Sequence, residues 1–442
     1  ADDLACLARM GEVRGTLWFD NLLVHETPAG SAELDKAYTL GQQAWIRNKD
    51  KNNYPEPALL DFGEFLRDME AESLGEMRRY LREELGVSAP ISGNNLHSGI
   101  ADLSAQTDMD FTGGHAYFDH PTFLIAWSKT LFSVTNQSMV AAGRETSISK
   151  TNMYGILSLT ALEGKPYVAG EWNLAYPNPY EYEAPILTAA MASIQDWDAM
   201  VLFAYSHNDG SDNGAINEWL DMRNNPAKRA QMSAAALLFI RGDVAAAGRK
   251  FVMDYTRDDT ARNGLLSIHN YSSFSDAELP VSMLVDTILE RGSFDAEETT
   301  SVAASFDAEY LQQTKTRTAH QSANGQFLWD VTTEGAEYAA VNTPRFQSFI
   351  GFVGGQQLAA DNLGVELAAD NHAAVTLASW DGAELFRADR MLLTVCGQQE
   401  NEGQKRSGNG LSSWGEGFVN VQKILGEITI SLEEPGAYTV YP

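Results

Sequence analysis

The stretch of sequence that decides the fold is Lys165-Pro166-Tyr167-Val168-Ala169-Gly170-Glu171-Trp172-Asn173. It predicts a short buried strand that brings one glutamate to its C-terminal tip, next to an aromatic residue. A second strand ends earlier at His115-Ala116-Tyr117, and a third ends in Tyr205-Ser206-His207. Strands that are separated by helices and carry polar or aromatic tips are typical of a (β/α) barrel, which builds its active site from those tips.

Helical patterns separate these strands. Apolar residues recur at helical spacing over residues 58–86, and Gly86 ends the pattern as a C-cap. A strand is expected at 87–93, ending in Asn94-Asn95, and helices are expected at 139–163, 184–196 and 226–240. Strands and helices therefore alternate, which favours a parallel sheet with crossover helices.

The pattern changes at about residue 248. Short β-rich runs separated by Gly, Asn and Asp turns follow at 251–255, 264–268, 373–379, 390–395 and 427–432. Several short strands of this kind are typical of an antiparallel β-sandwich. We therefore expect an α/β catalytic domain at 1–247 and a β-sandwich accessory domain at 248–442.

Composition narrows the possible functions. The 442 residues suffice for two domains, and the net charge of −29 disfavours nucleic acid and anionic membranes as partners. This charge indicates a solvated acidic surface, with a cationic partner as the alternative. The start at Ala1-Asp2-Asp3 fits a processed or trimmed product. A secreted or periplasmic location is expected. The two cysteines do not predict a disulfide framework, and we expect no membrane-spanning segment.

With these residues in view, the chain resembles the clan A-type retaining glycoside hydrolases of the cellulase-like (family 5-like) kind over most of residues 1–245. In that family the sixth strand ends in His-x-Tyr, which His115 and Tyr117 match, and the seventh carries the nucleophile in a Gly-Glu-aromatic setting, which Gly170-Glu171-Trp172 matches. The eighth strand ends in aromatic residues near the sugar, as 203–207 does. The resemblance implies a TIM-type barrel followed by a β-sandwich.

The sequence departs from the family pattern at its start. The acid/base glutamate of the family follows an Asn at the end of the fourth strand, but here the best fourth strand, 4–10, is followed by Gly11-Glu12. The first three strands have no place in the chain, so the barrel is expected to lack them. An open parallel edge invites another chain, and a homo-oligomer that covers this edge is therefore a hypothesis.

The resemblance assigns two catalytic carboxylates. Glu171 is the expected nucleophile, and the alternative is a structural glutamate that holds an arginine or a helix N-terminus. Glu12 is the candidate acid/base, against the alternative of an exposed N-terminal side chain, and Glu26 is a weaker rival.

The expected substrate-binding residues lie at the other strand tips and on nearby aromatic side chains. Tyr117 or Tyr205 could donate a hydrogen bond to the nucleophile, while stacking on a sugar ring is weighed against core packing for Trp172 and Trp18. The full set is His115, Tyr117, Trp172, Asn95, Tyr205, His207 and Trp18. Trp380 and Trp414 are the residues to test for sugar binding in the second domain.

Cofactor chemistry finds little support. The acidic residues around His120 match no standard metal-ligand spacing, so neither a metal nor a cofactor is expected. The sequence contains no G-x-S-x-G elbow and no phosphate-binding glycine fingerprint at a strand–helix junction. Two functions remain: a retaining glycosidase that cleaves a β-linked glucan, mannan or related sugar, and a catalytically attenuated carbohydrate-binding or scaffold protein derived from such an enzyme.

Overall fold

The computed structural model describes residues 46, 48–95, 99–151, 153–207, 214–263, 279–301, 305–306, 308–433 and 438–441. Glu12, Trp18, Glu26 and the strand expected at 4–10 lie outside the described residues. None of the described helices is both long enough and apolar enough to span a bilayer. The described part of the chain combines helices and sheets, and its C-terminal region is rich in β-structure.

A three-stranded parallel sheet contains the stretch that decided the fold. Its strands are β1 (Thr112–Phe118), β4 (Tyr167–Leu174) and β5 (Ala199–Leu202), in the order β1-β4-β5, and both neighbouring pairs are parallel. The hairpin of β2 (Thr122–Phe123) and β3 (Phe132–Ser133) follows β1. The three predicted strands are thus confirmed, and their carboxyl ends lie at one edge of the sheet.

The predicted helix at 58–86 is confirmed in position. Helix α1 spans Glu56–Arg79 and continues as a π-helical turn, Tyr80–Glu84, before Gly86 adopts a positive φ of 66°. The strand predicted at 87–93 is wrong, because this segment is coil in the structure. Its carbonyls at Val87 and Ala89 instead accept hydrogen bonds from Arg82.

Helical structure expected at 139–163 is present, but in three short pieces and not as one helix. The segment consists of the 3₁₀ turns Ala141–Arg144 and Ile148–Lys150 and the short helix α3 (Met153–Ser158), while α2 (Ile100–Ala105) precedes β1. Position 143 requires a glycine, since a Cβ there would lie 2.7 Å from the Trp329 ring. This segment therefore packs closely against a residue that is distant in sequence.

The two helices expected on either side of β5 are confirmed. Helix α4 spans Ala184–Ile194 and is buried on all sides, and α5 spans Pro226–Ile240. The Asn225 side chain caps α5 by accepting a hydrogen bond from the Lys228 amide, and Pro226 occupies the first turn, where its missing N–H costs nothing. These local signals explain why the start of α5 was predictable.

The first strand after residue 248 is parallel, which contradicts its predicted place in an antiparallel sandwich. β6 (Lys250–Met253) pairs in parallel with β7 (Ile288–Arg291), and α6 (Arg257–Asn263) and α7 (Met283–Asp286) lie between them in sequence. Phe251, Met253 and Leu289 belong to the same buried cluster as Trp172. This part of the chain therefore packs with the parallel sheet.

The larger antiparallel sheets begin after α8 (Ala308–Thr316). A six-stranded sheet has the order β15-β14-β11-β10-β9-β8, and a three-stranded sheet has the order β12-β13-β20. The strands of these sheets and of two further two-stranded sheets are β8 (Ala319–Gln321), β9 (Phe327–Asp330), β10 (Tyr338–Asn342), β11 (Phe346–Gly351), β12 (Gln357–Ala359), β13 (Leu363–Leu367), β14 (Ala373–Ser379), β15 (Met391–Gly397), β16 (Gln399–Asn401), β17 (Lys405–Ser407), β18 (Gly410–Ser413), β19 (Val419–Val421) and β20 (Gly426–Ile430).

The six-stranded sheet has an apolar core on each face. One cluster joins it to the three-stranded sheet through side chains such as Phe349, Val365 and Leu377. On the other face, Phe327 and Trp329 belong to the large cluster that contains the helices around the parallel sheet. The Trp329 indole N–H donates to the Val140 carbonyl at 2.6 Å, so this junction is polar as well as apolar.

Candidate active site

Glu171 lies on the face of the parallel sheet that points away from the buried helices. Glu171 lies opposite His115 on the neighbouring strand β1, and Tyr117 lies two residues further along the same face of β1. The Tyr117 hydroxyl donates a hydrogen bond to Glu171 Oε2, and His115 Nδ1 lies 3.3 Å from the same oxygen. The structure thus brings together three of the residues that the sequence nominated.

The loss of solvation determines the protonation state of the Tyr117 hydroxyl. Loss of solvation, reinforced by the hydrogen bond to Glu171 and the charge of that carboxylate, raises the pKa of Tyr117 far above its ordinary value of 10.0. The phenol therefore keeps its proton and acts as a donor to the carboxylate at any physiological pH. The Glu171 side chain is 27% exposed, so solvent or a ligand can reach it.

A local irregularity in β4 makes room for the imidazole. The register between β1 and β4 shifts at Gly114/His115, and a Cβ at Gly170 would lie 2.9 Å from His115 Nε2. Position 170 is therefore a glycine because a larger residue would collide with the His115 ring. On the other side of β1, the His115 amide donates to the Asn95 carbonyl at 3.0 Å, which places the predicted Asn95 beside the site through its backbone.

Asn173 ties the end of β5 to this sheet. Its buried side-chain amide donates to the carbonyls of Phe203 at 2.6 Å and Leu220 at 2.7 Å. Phe203 in turn packs edge-on against Tyr117, with ring centroids 6.3 Å apart. The aromatic residue after β5 is thus fixed beside the hydroxyl that holds Glu171.

His207 lies at the outer rim of the same edge. Its Nδ1 pairs with the Asp221 carboxylate, which also accepts the His207 amide at 3.0 Å, and its ring packs against Phe203 at 5.0 Å. Tyr205 is 60% exposed and its carbonyl accepts a hydrogen bond from the Arg223 amide. It is therefore Tyr117, of the two tyrosines considered, that the structure shows bonded to Glu171.

An aromatic cluster that the sequence did not reveal adjoins the site. Trp219 packs edge-on against Phe123 at 5.1 Å and against Trp414 at 5.4 Å, and the Lys129 ammonium lies 4.3 Å from the Trp219 ring centroid. Trp414 was nominated for a separate second-domain surface, yet here it belongs to this cluster. The segment that carries β16–β19 therefore contributes directly to the surroundings of the site.

Trp172 corrects one prediction. Its side chain is fully buried among the helices, so it cannot stack on a sugar. The reason is the alternation of side chains along a strand, which turns Trp172 to the face opposite that of Glu171. Asn94, which precedes Asn95, donates hydrogen bonds to Glu70 and Asp102.

The described acidic residues near this edge are engaged elsewhere. Asp119 accepts hydrogen bonds from Thr135, Asn136 and Asn178, and Glu218 pairs with Lys129. Within the described ranges, the polar side chains in contact with Glu171 are Tyr117 and His115, and no cluster of three or more His, Cys, Asp or Glu residues could hold a metal ion. Asp221 and Trp219 were missed because neither stands in a recognisable motif.

Comparison with known proteins gives no family assignment. No protein-family model matches the chain, and neither a curated protein nor a solved structure matches it. The geometry of the site is therefore the basis for a functional assignment.

Proposed function

We propose that this protein is a retaining glycoside hydrolase that cleaves a β-linked poly- or oligosaccharide by double displacement. The observation that carries the proposal is the state of Glu171, a carboxylate at the carboxyl edge of a parallel sheet that accepts a hydrogen bond from the half-buried Tyr117 and lies beside His115. A carboxylate held in one orientation and still reachable from solvent meets the requirements for a glycosidase nucleophile.

Each neighbour has a role in this mechanism. Glu171 attacks the anomeric carbon and forms a glycosyl ester, while an acid protonates the leaving oxygen and later, as a base, activates water. The Tyr117 hydrogen bond orients the attacking carboxylate, and it weakens when the charge is lost in the ester. His115 holds the same oxygen from the side. Glu12 stays the proposed acid/base, and a retaining enzyme would place it about 5–5.5 Å from Glu171.

The proposal extends to the architecture. β1, β4 and β5 lie side by side in the sheet in the same order as in the chain, and the β2–β3 hairpin between them belongs to a separate sheet. Consecutive strands of a (β/α) barrel have this arrangement, and we propose that these three strands form part of such a barrel. The two antiparallel sheets that share an apolar core would form the β-sandwich. A homo-oligomer covering the open sheet edge and a secreted or periplasmic location remain part of the proposal.

A catalytically attenuated carbohydrate-binding protein is the second candidate. It is favoured by one observation: Gly11 precedes Glu12 where the family that the chain resembles has an Asn. Such a protein would retain sugar binding at the strand tips without turnover.

Hydrolysis of a panel of β-linked oligosaccharides and polysaccharides separates the two candidates. Wild type is compared with Glu171→Gln, which keeps the shape of the side chain, and with Glu218→Gln, a matched control at a neighbouring carboxylate. The glycosidase proposal expects turnover that vanishes in Glu171→Gln and persists in Glu218→Gln. Sugar binding without turnover in the wild type would support the second candidate, and turnover that survives in Glu171→Gln would refute the role of this residue.

A further inference from the structure

Four rings form a continuous row that starts at the tyrosine bonded to Glu171. Tyr117 contacts His120 with centroids 5.4 Å apart, His120 contacts Phe123 at 6.3 Å, and Phe123 contacts Trp127 at 5.2 Å. The row leaves the carboxyl end of β1 and runs along the β2–β3 hairpin to its tip. It therefore connects the proposed catalytic carboxylate to the surface.

These rings are accessible. Tyr117 and Phe123 are half-buried, His120 is exposed, and Trp127 at the far end is 71% exposed. Trp127 also has a φ of 59°, in the left-handed region that bulky residues rarely adopt, and the turn is fixed by the Ser128 hydroxyl, which accepts from the Leu131 amide at 3.1 Å. The hairpin thus holds an indole in solvent by means of an unfavourable backbone conformation.

The row offers polar groups between its apolar faces. His120 Nδ1 donates to the Pro121 carbonyl at 3.0 Å, which leaves Nε2 of the neutral ring as a hydrogen-bond acceptor. Apolar faces combined with polar edges suit a pyranose, whose C–H faces are apolar and whose rim carries hydroxyls. The net charge of −29 makes a neutral ligand more favourable than an anionic membrane surface.

We propose that the Tyr117–His120–Phe123–Trp127 row binds successive sugar units of a neutral β-linked polysaccharide, so that the substrate is a long chain held away from its cleavage point. This proposal rests on the proposed glycosidase function. It assigns substrate length: units bound at Trp127 are remote from Glu171, so they contribute to binding of long chains and not to cleavage of an aryl glycoside with one or two sugars.

Native gel electrophoresis in the presence of polysaccharide tests the row directly. The probes are mixed-linkage β-glucan, hydroxyethylcellulose, glucomannan and xylan, and all variants carry Glu171→Gln so that the probe is not degraded. Trp127→Ala removes the terminal ring, Trp127→Phe keeps a ring, and Leu124→Ala is the matched control, since Leu124 is an exposed apolar side chain of the same hairpin at 82% exposure.

We expect at least one probe to retard the protein, with a dissociation constant that rises about tenfold in Trp127→Ala, by less in Trp127→Phe and less than about twofold in Leu124→Ala. The proposal would be overturned if Leu124→Ala weakened polysaccharide binding as much as Trp127→Ala does. It would also be overturned if Trp127→Ala left the dissociation constant unchanged. Retardation by no probe combined with co-sedimentation on phosphatidylcholine vesicles would overturn it as well, and would make the hairpin tip a membrane contact.

The outcomes separate this proposal from the function on which it rests. Turnover of a short aryl glycoside that survives in Glu171→Gln would refute the role of Glu171 while leaving the Trp127 binding ratio intact. Normal loss of that turnover in Glu171→Gln, with no polysaccharide bound by any variant, would retain the glycosidase and refute the row.

Discussion

Replacing Glu183 by glutamine should flatten part of the pH dependence of stability. Glu183 follows β4, is fully buried, and accepts hydrogen bonds from the Ser138 hydroxyl at 2.9 Å and the Val140 amide at 3.0 Å. Burial raises the pKa of its carboxyl from 4.5 to about 7, because the loss of solvation outweighs the stabilising donors. Glu183→Gln keeps the shape of the side chain and removes its titration.

The sign of the effect follows from proton binding. Between about pH 4.5 and 7 the folded protein holds a proton on Glu183 that the unfolded chain has released, so the free energy of unfolding falls as the pH rises through this range. Each unit of pKa corresponds to about 1.4 kcal/mol, which gives a loss of about 3 kcal/mol across the window. The free energy of unfolding of wild type minus that of Glu183→Gln should therefore decrease by about 3 kcal/mol from about pH 4 to about pH 8.

Urea unfolding of both proteins at a series of pH values measures this difference, and other titrating groups cancel because they are common to both. Ser138→Ala is the control: it removes a donor that lowers the Glu183 pKa, so its own loss of stability with rising pH should exceed that of wild type. A wild-type-minus-variant difference that stays constant, or that grows with pH, would refute the assignment of a raised pKa to Glu183.

Three further predictions concern the site and its supports. Tyr117→Phe removes the donor to Glu171, so kcat/KM should fall on the order of 10–100-fold in steady-state assays while the fold persists, since a hydrogen bond to a charged group contributes about 1.5–3 kcal/mol. Lys228→Met leaves its buried partner carboxylate at 2.6 Å without a counter-charge and should cost about 3–5 kcal/mol in urea unfolding, most of which Lys228→Met with Glu181→Leu should restore. Gly143→Ala forces a methyl group against the buried indole of β9 and should cost about 1–3 kcal/mol in the same assay, and an unchanged midpoint would contradict that packing.

The parts of the fold that were predictable have strong local signals. The strand around Glu171 is a short apolar run between turn formers, and α5 has both an Asn225 cap and Pro226 in its first turn. The pattern at 139–163 indicated helical structure but not its division into two 3₁₀ turns and a short helix, and the contact of Gly143 with the distant Trp329 has no signal in the local sequence. A strand pattern at 251–255 does not tell parallel from antiparallel pairing, so the partner of β6 could not be inferred from it.

The sequence predicted the residues that contact Glu171, but not the aromatic residues that surround them. The pairing of His115 and Tyr117 with Glu171 follows from strand tips that meet at one edge of a sheet. Trp172 was misassigned because the sequence does not say which face of a strand is covered by helices. The contact of Trp414 with Trp219 joins residues almost two hundred positions apart, and the sequence carries no local signal for it.

Covalent trapping tests the central claim most directly. Wild type is incubated with activated 2-deoxy-2-fluoro glycosides of β-glucose, β-mannose and β-xylose, and the intact mass and the proteolytic peptides are measured by mass spectrometry. The account predicts one sugar adduct per chain, located on Glu171 and lacking in Glu171→Gln. An adduct on a different carboxylate, or product formed with an inverted anomeric centre, would contradict it.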